Sequence, residues 1–146
     1  MRTQVPSPDA SSPRGALRSL SLAEHAQLEE RFRAVLDEAV VGAKGELGAR
    51  WTELANALTE HMALEEREIL PAFAEGAPDE AAALRCEHDE LRRELDELGV
   101  CVDLHLLSPA VAGAFIARLR AHALREDAAL YRFAAARPQL LRSAHG

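Results

Sequence analysis

A duplicated arrangement of histidine and glutamate constrains the fold of this chain more than any other feature. The order His, His-x-x-x-Glu occurs twice and comprises His25, His61, Glu65, His88, His122 and Glu126. Residues four apart lie on one face of a helix, so each His-x-x-x-Glu pair can bind one inward-facing ion. Imidazole and carboxylate groups suit first-row transition metals, iron among them. Six such groups on four segments could hold two metal ions.

The places of these residues within their helices support a metal site. All four histidines and both glutamates fall within the apolar stripes of the predicted helices. Burying an ionised carboxylate costs several kcal/mol unless it is paired or coordinated. A lone histidine on an apolar face is more often a hydrogen-bonded core residue, so a purely structural polar cluster is the alternative. Four inward histidines with a repeated offset to glutamate favour metal binding.

Apolar residues at helical spacing predict four helices and no strand. Ser21 can cap the first helix, and Ser108-Pro109 places a serine at the cap and a proline at the first position of the fourth. Short connections between four helices predict an all-α fold, an antiparallel up-down-up-down four-helix bundle. The approximate predicted bounds are residues 21–41, 46–70, 79–105 and 108–137.

The length of 146 residues predicts a single domain with flexible ends. Residues 1–16 contain three prolines and several serines without an apolar period, which indicates a flexible N-terminal tail. The bundle is expected over residues 17–138, and a second short tail over residues 139–146.

Charge and composition exclude several classes of partner. The formal net charge of −7 argues against nucleic acid, because phosphate binding needs a basic surface. No apolar run approaches the length of a membrane-spanning helix, and the N-terminus lacks a signal-peptide core. On one continuous helix Cys86 and Cys101 would lie about 22 Å apart, so they are expected to be reduced core residues. These features predict a cytoplasmic protein without a membrane or nucleic-acid partner.

The other polar residues receive no functional role from the sequence. The residues Glu66, Glu68, Arg92 and Arg93 are predicted to form a solvated helix surface. His105 and His145 lie outside the repeat and are expected to be solvated. Tyr131 is predicted to lie on a different face of the helix from Glu126, so it is not expected to act as a redox or proton-transfer group.

The histidine and glutamate pattern resembles that of the hemerythrin-like proteins, also called HHE cation-binding domains, over about residues 20–136. The resemblance implies a four-helix bundle around a non-haem di-iron centre, with an oxo or hydroxo bridge. It also implies that His25 and His61 ligate one iron and His88 and His122 the other. Glu65 and Glu126 would then bridge the two ions.

One position indicates which variety of the family this chain resembles. Oxygen-carrying hemerythrins have a further histidine one turn after the third-helix histidine, where this chain has Arg92. The chain therefore resembles the four-His, two-Glu variety, which includes bacterial proteins for repair of iron centres. Those proteins carry an extra cysteine-containing N-terminal domain, and residues 1–16 contain no cysteine.

Asp127 is an alternative to Glu126, because His122 and Asp127 also match the His-x-x-x-x-Asp spacing of oxygen carriers.

The leading functional hypothesis is reversible binding or sensing of O₂ or NO at the di-iron site. Apolar residues near the histidines would exclude water. The alternatives are a di-iron oxidase, a peroxidase acting on peroxide, an NO-handling enzyme, or iron storage and delivery in iron-centre repair. The same residues serve all of these hypotheses, so whether the protein is an enzyme stays open, as does its oligomeric state.

Overall fold

The computed structural model describes residues 13–41, 46–137 and 139–140, and it describes side chains from His25 onward. This part of the chain contains helices and no strand, which confirms the all-α prediction. The predicted turn at residues 42–45, Pro138, and the tail residues 1–12 and 141–146 lie outside the described residues. The helices are α1 (Pro13–Val41), α2 (Glu46–Glu68), α3 (Leu70–Gly76), α4 (Pro78–Asp103), α5 (Pro109–Ala128) and α6 (Leu130–Ala135).

The first helix begins earlier than the sequence predicted. It starts at Pro13, within the predicted tail, and Ser21 lies in its interior instead of at its cap. Residues 14–22 include alanine, arginine and three leucines, which have high helix propensities. The lack of an apolar period therefore does not prevent this segment from being helical.

The second and fourth predicted helices are each interrupted. Ile69 separates α2 from α3, and Ala129 separates α5 from α6. Pro71 explains the first interruption, because it has no N–H to donate to the preceding turn. No proline or glycine lies near Ala129, whose φ is −111°. Backbone hydrogen bonds of 3.0 Å at Ile69 and 3.1 Å at Ala129 continue the helical pattern across both points.

Both ends of the connection from α4 to α5 have an identifiable structure. Ser108 caps α5, and its Oγ accepts a hydrogen bond from the Val111 amide at 3.2 Å, as the sequence predicted. His105 is exposed and has a positive φ of 58°, a conformation that histidine tolerates better than most residues. The expectation that His105 is solvated is confirmed, while His145 lies outside the described residues.

Two apolar clusters build the core. In the larger, Trp51 and Phe115 have ring centroids 5.8 Å apart and pack with leucines of α1, α2, α4 and α5. The smaller cluster joins α3 and α6 to the start of α4, and includes Leu70, Leu84 and Leu130. Along α2, α4 and α5, the predicted histidines and glutamates fall between residues of the two clusters. This arrangement places the polar residues in the interior.

The two cysteines are both free. Cys101 is half-buried, but Cys86 is exposed, so the prediction that both fill the core is wrong for Cys86. Cys86 lies two residues before buried His88 on α4, and that offset turns it away from the core. None of the described helices is both long and apolar enough to cross a lipid bilayer.

Candidate metal centre

The six sequence-predicted residues converge at one place between α1, α2, α4 and α5. Glu65, His88, His122 and Glu126 are at most 4% exposed, and His61 is 9% exposed. His25 is slightly more accessible, with 13% of its side chain exposed. The helical offset of four acts locally as expected, because His61 Nε2 lies 2.9 Å from Glu65 Oε1 and His122 Nε2 lies 3.0 Å from Glu126 Oε1.

The potential ligand atoms form two groups that share a carboxylate. One group contains His25, His61 and Glu126, and the other contains His88, His122 and Glu126. The ligand atoms within each group lie within 4.8 Å of one another. Glu65 Oε1 lies near one histidine of each group, 2.9 Å from His61 Nε2 and 3.9 Å from His88 Nε2. Both carboxylates therefore lie between the two histidine pairs.

Several of these atoms are buried without a hydrogen bond inside the described part of the chain. They are His25 Nε2, His122 Nε2 and both carboxylate oxygens of Glu65. His122 Nε2 is close to Glu126 Oε1, but the two groups are not aligned for a hydrogen bond. A buried polar group left unsatisfied costs about 1–3 kcal/mol. Imidazole nitrogens and carboxylate oxygens that share an enclosed space fit a bound transition-metal cation.

The pKa values of the two buried glutamates are displaced in opposite directions. Burial, with Glu126 beside it, raises the pKa of Glu65 well above its ordinary value. Burial also acts to raise the pKa of Glu126, but contacts with Glu65, His122 and His88 outweigh it and hold that pKa well below its ordinary value. The two carboxylates are therefore coupled, because each acts on the ionisation of the other. A cation between them would favour the ionised form of both, because coordination stabilises ionised carboxylates.

Three further carboxylates contact the histidines from the opposite side of the imidazole rings. Glu66 Oε1 lies 3.0 Å from His88 Nδ1, and Glu87 Oε1 lies 3.3 Å from His122 Nδ1. Asp127 Oδ1 lies 3.1 Å from His25 Nδ1. We call these three residues the outer carboxylates. An imidazole that donates from Nδ1 to a carboxylate leaves the Nε2 lone pair for a metal ion.

Arginines hold two of the outer carboxylates. Arg92 donates two hydrogen bonds to Glu66, of 2.8 and 2.7 Å, and Arg125 Nε donates one of 2.6 Å to Glu87. The hydrogen bond from Arg92 is the largest cause that lowers the pKa of Glu66. Burial opposes the lowering of the pKa of Glu87, but contacts with Arg125 and His122 exceed it. Both carboxylates are therefore held ionised.

The structure corrects the prediction that Glu66 and Arg92 belong to a merely solvated surface. Both are half-buried, and Glu66 links Arg92 to a candidate ligand. One sequence signal could have identified the outer carboxylates, because each directly neighbours a candidate ligand. Glu66 follows Glu65, Glu87 precedes His88, and Asp127 follows Glu126.

Glu126 and Asp127, the two alternatives on α5, have different surroundings. Glu126 is 1% exposed and belongs to both ligand groups. The side chain of Asp127 is 39% exposed and contacts the outer nitrogen of His25. Glu126 therefore lies among the potential ligand atoms, whereas Asp127 lies on the Nδ1 side of His25.

Tyr131 lies closer to the centre than the sequence indicated. Its ring is 5.5 Å from that of His25, edge to face, and 6.4 Å from that of His61, nearly parallel. The prediction that Tyr131 lies away from the site assumed one continuous fourth helix, but Tyr131 belongs to α6, after the interruption at Ala129. Tyr131 thus packs beside both histidines of one ligand group.

Comparison with protein families supplies independent information. The family model of the hemerythrin HHE cation binding domain matches residues 18–134, which include all six predicted residues. Searches of curated proteins and of solved structures found no match.

Proposed function

Because the chain belongs to the hemerythrin HHE cation-binding domain family, we propose that its buried histidines and glutamates hold two iron ions in a non-haem di-iron centre. Cation binding is the property of the family, and the identity and number of the ions are our proposal. One observation carries it: two histidine pairs lie on either side of the same two buried carboxylates. Carboxylate and histidine sites of this kind occur in the cores of helical bundles.

We assign His25 and His61 to one ion and His88 and His122 to the other. Glu126 is assigned as a bridge because it belongs to both ligand groups, and Glu65 because it lies near a histidine of each. We also infer that α1, α2, α4 and α5 form the antiparallel bundle that the sequence predicts. Packing of α1 against α2 and α5, and of α4 against the same two helices, supports this arrangement.

We propose that the centre binds or senses O₂ or NO. Two irons with two histidines each would supply a redox-active pair with positions left for a small ligand. The outer carboxylates would orient the imidazole rings of the ligands, because they face the Nδ1 atoms of three histidines. The protein also contributes a water-poor lining, formed by residues at most 8% exposed: Leu28, Leu58, Leu91 and Leu119.

Metal analysis with an absorption spectrum of the same sample tests the centre. We expect about two irons per chain, because the potential ligands form two groups that share Glu126, and a near-ultraviolet band of a bridged iron pair. His61→Ala should lose stoichiometric iron. His105→Asn is the matched control, because it removes an exposed imidazole and asparagine also tolerates a positive φ. Two irons retained in His61→Ala would refute the ligand assignment.

Exposure of the reduced protein to O₂ or NO then tests the ligand. Reversible spectral changes, with the ligand recovered unchanged on removal of the gas, are expected for binding or sensing. Release of a chemically altered product at each cycle would instead establish turnover.

A further inference from the structure

A cavity of about 420 Å³ opens beside the candidate centre. Residues of α1, α2 and α5 line it, and its polar residues include His25, His61, His122 and Glu126. One water molecule occupies about 30 Å³ in the liquid, so O₂ or NO would fill only a small part of this space. Cavities of about 300–1,000 Å³ are typical of sites for small organic molecules.

The rest of the lining is mainly apolar. Leu28, Phe32, Leu58 and Leu119 are at most 8% exposed and contribute to its wall. Leu124 also lines the cavity but is 70% exposed, so it lies on the open side. An apolar compound entering from solvent would release water from this surface, which is favourable.

The charged residues of the lining already have partners. Arg120, the one lysine or arginine among the lining residues, donates from Nε to Glu29 at 3.1 and 3.0 Å. Asp127 contacts His25 at 3.1 Å. Arg120 could pair with a carboxylate or phosphate ligand only by leaving Glu29, whereas a neutral ligand would leave both pairs in place.

We propose that this cavity binds a small, neutral, apolar organic molecule directly beside the metal centre. Its position beside bound metal rests on the proposed function, but binding to the apolar wall does not require metal. The inference adds an organic ligand to a site otherwise assigned to a diatomic gas.

Two fluorescent probes with the same aromatic skeleton test the chemistry. N-phenyl-1-naphthylamine is neutral, and 8-anilinonaphthalene-1-sulfonate carries one negative charge. We expect the neutral probe to bind the iron-loaded protein with one-to-one stoichiometry and at least tenfold more tightly than the sulfonate. Equal or tighter binding of the sulfonate would overturn the assignment of a neutral ligand.

Paired variants on α5 locate the probe. Ala123 lines the cavity, so Ala123→Phe should fill part of it and weaken binding of the neutral probe at least tenfold. Ala121→Phe makes the same change at an exposed position of the helix outside the lining and should leave binding unchanged. Equal binding by the wild type and Ala123→Phe would place the probe elsewhere and overturn the proposal.

A second pair keeps the test valid if Ala123→Phe does not fold. Leu124→Glu puts a charge at the open side of the cavity, and its 70% exposure makes the change tolerable for folding. Leu106→Glu is the control at an equally exposed leucine outside the lining. Only Leu124→Glu should weaken the neutral probe, and the proposal fails if both variants bind like the wild type.

Iron content and the absorption spectrum, measured on the same samples, separate the two proposals. If the protein contains two irons but does not bind the probe, the organic ligand is refuted and the di-iron centre is supported. If the protein binds the probe but contains no iron, the cavity site is supported and the proposed centre is refuted. A shift of the iron absorption band on adding the neutral probe is expected if the two sites adjoin, and binding without any shift would overturn their adjacency.

Discussion

The guanidinium of Arg92 forms two parallel hydrogen bonds with the carboxylate of Glu66, of 2.8 and 2.7 Å. Glu66 also lies 3.0 Å from His88 Nδ1, so an arginine and a histidine of α4 share one carboxylate of α2. Arg92 occupies the position at which oxygen-carrying hemerythrins have a further histidine. Here its side chain instead contacts Glu66, which contacts the candidate ligand His88.

The first prediction concerns this contact. Glu66→Gln keeps the shape of the side chain but removes the charge that pairs with Arg92 and orients His88. Loss of such a carboxylate behind a ligating histidine typically weakens metal binding about 10–100-fold. We expect a loss of this size in the affinity of the purified protein for iron, measured by competition with a chelator.

Glu94→Gln is the matched control for this experiment. Glu94 pairs with Arg118 between α4 and α5, with a hydrogen bond of 3.1 Å, and is not one of the outer carboxylates. Its replacement should leave metal affinity unchanged. Equal affinities of Glu66→Gln and the wild type would show that Glu66 does not orient a ligand.

The second prediction separates Glu126 from Asp127. Glu126→Gln removes a carboxylate near both histidine pairs and should reduce iron from about two ions per chain to one or none. Asp127→Asn alters only the outer contact with His25, so two irons should remain, bound more weakly. Metal analysis of both variants under identical conditions decides the matter. The reverse pattern would make Asp127 the bridging residue.

Local geometry made much of the candidate site predictable. Each His-x-x-x-Glu pair lies on a single helix, where a spacing of four places both residues on the same face. The pairs are His61 with Glu65 and His122 with Glu126. The apolar residues around them then required that face to be interior. The Ser108 cap was predictable for the same reason, because it depends on residues three apart.

Contacts between helices were not predictable in the same way. Glu87 and His122 are 35 residues apart in sequence, and helical periodicity does not specify how α4 and α5 are rotated against one another. Glu87 at a half-buried position resembles any surface glutamate in the sequence. The interruption at Ala129 was also hidden, since alanine is the strongest helix former. That interruption is why the place of Tyr131 was missed.

The third prediction tests the larger apolar cluster. Leu54 is fully buried in it, so Leu54→Ala leaves a cavity and should lower the free energy of unfolding by about 2–5 kcal/mol. Leu106→Ala is the control at a residue that is 70% exposed, with an expected change within about 0.5 kcal/mol. Trp51, the one tryptophan of the chain and a member of the same cluster, reports urea unfolding by fluorescence. Similar losses in the two variants would contradict the assignment of Leu54 to the core.

The fourth prediction concerns the ion pair of Glu29 and Arg120 between α1 and α5. The hydrogen bond from Arg120 is the largest cause that holds the pKa of Glu29 below its ordinary value. The folded state therefore favours the ionised form. This contribution to stability is present above the ordinary glutamate pKa of about 4.3 and is lost as the pH falls through the lower folded-state value.

Arg120→Gln should accordingly destabilise metal-free protein at pH 7, and its deficit relative to the wild type should shrink in acid. Both side chains are partly exposed and Arg33 remains 3.6 Å from Glu29, so we expect a deficit of only about 0.2–1 kcal/mol. Urea unfolding at pH 7 and below pH ~4 measures both values. Arg93→Gln, which breaks a looser and more exposed pair with Glu97 at 3.9 Å, should have no measurable effect. A deficit that grows as the pH falls would contradict the lowered pKa, because protonated Glu29 gains nothing from the neighbouring guanidinium.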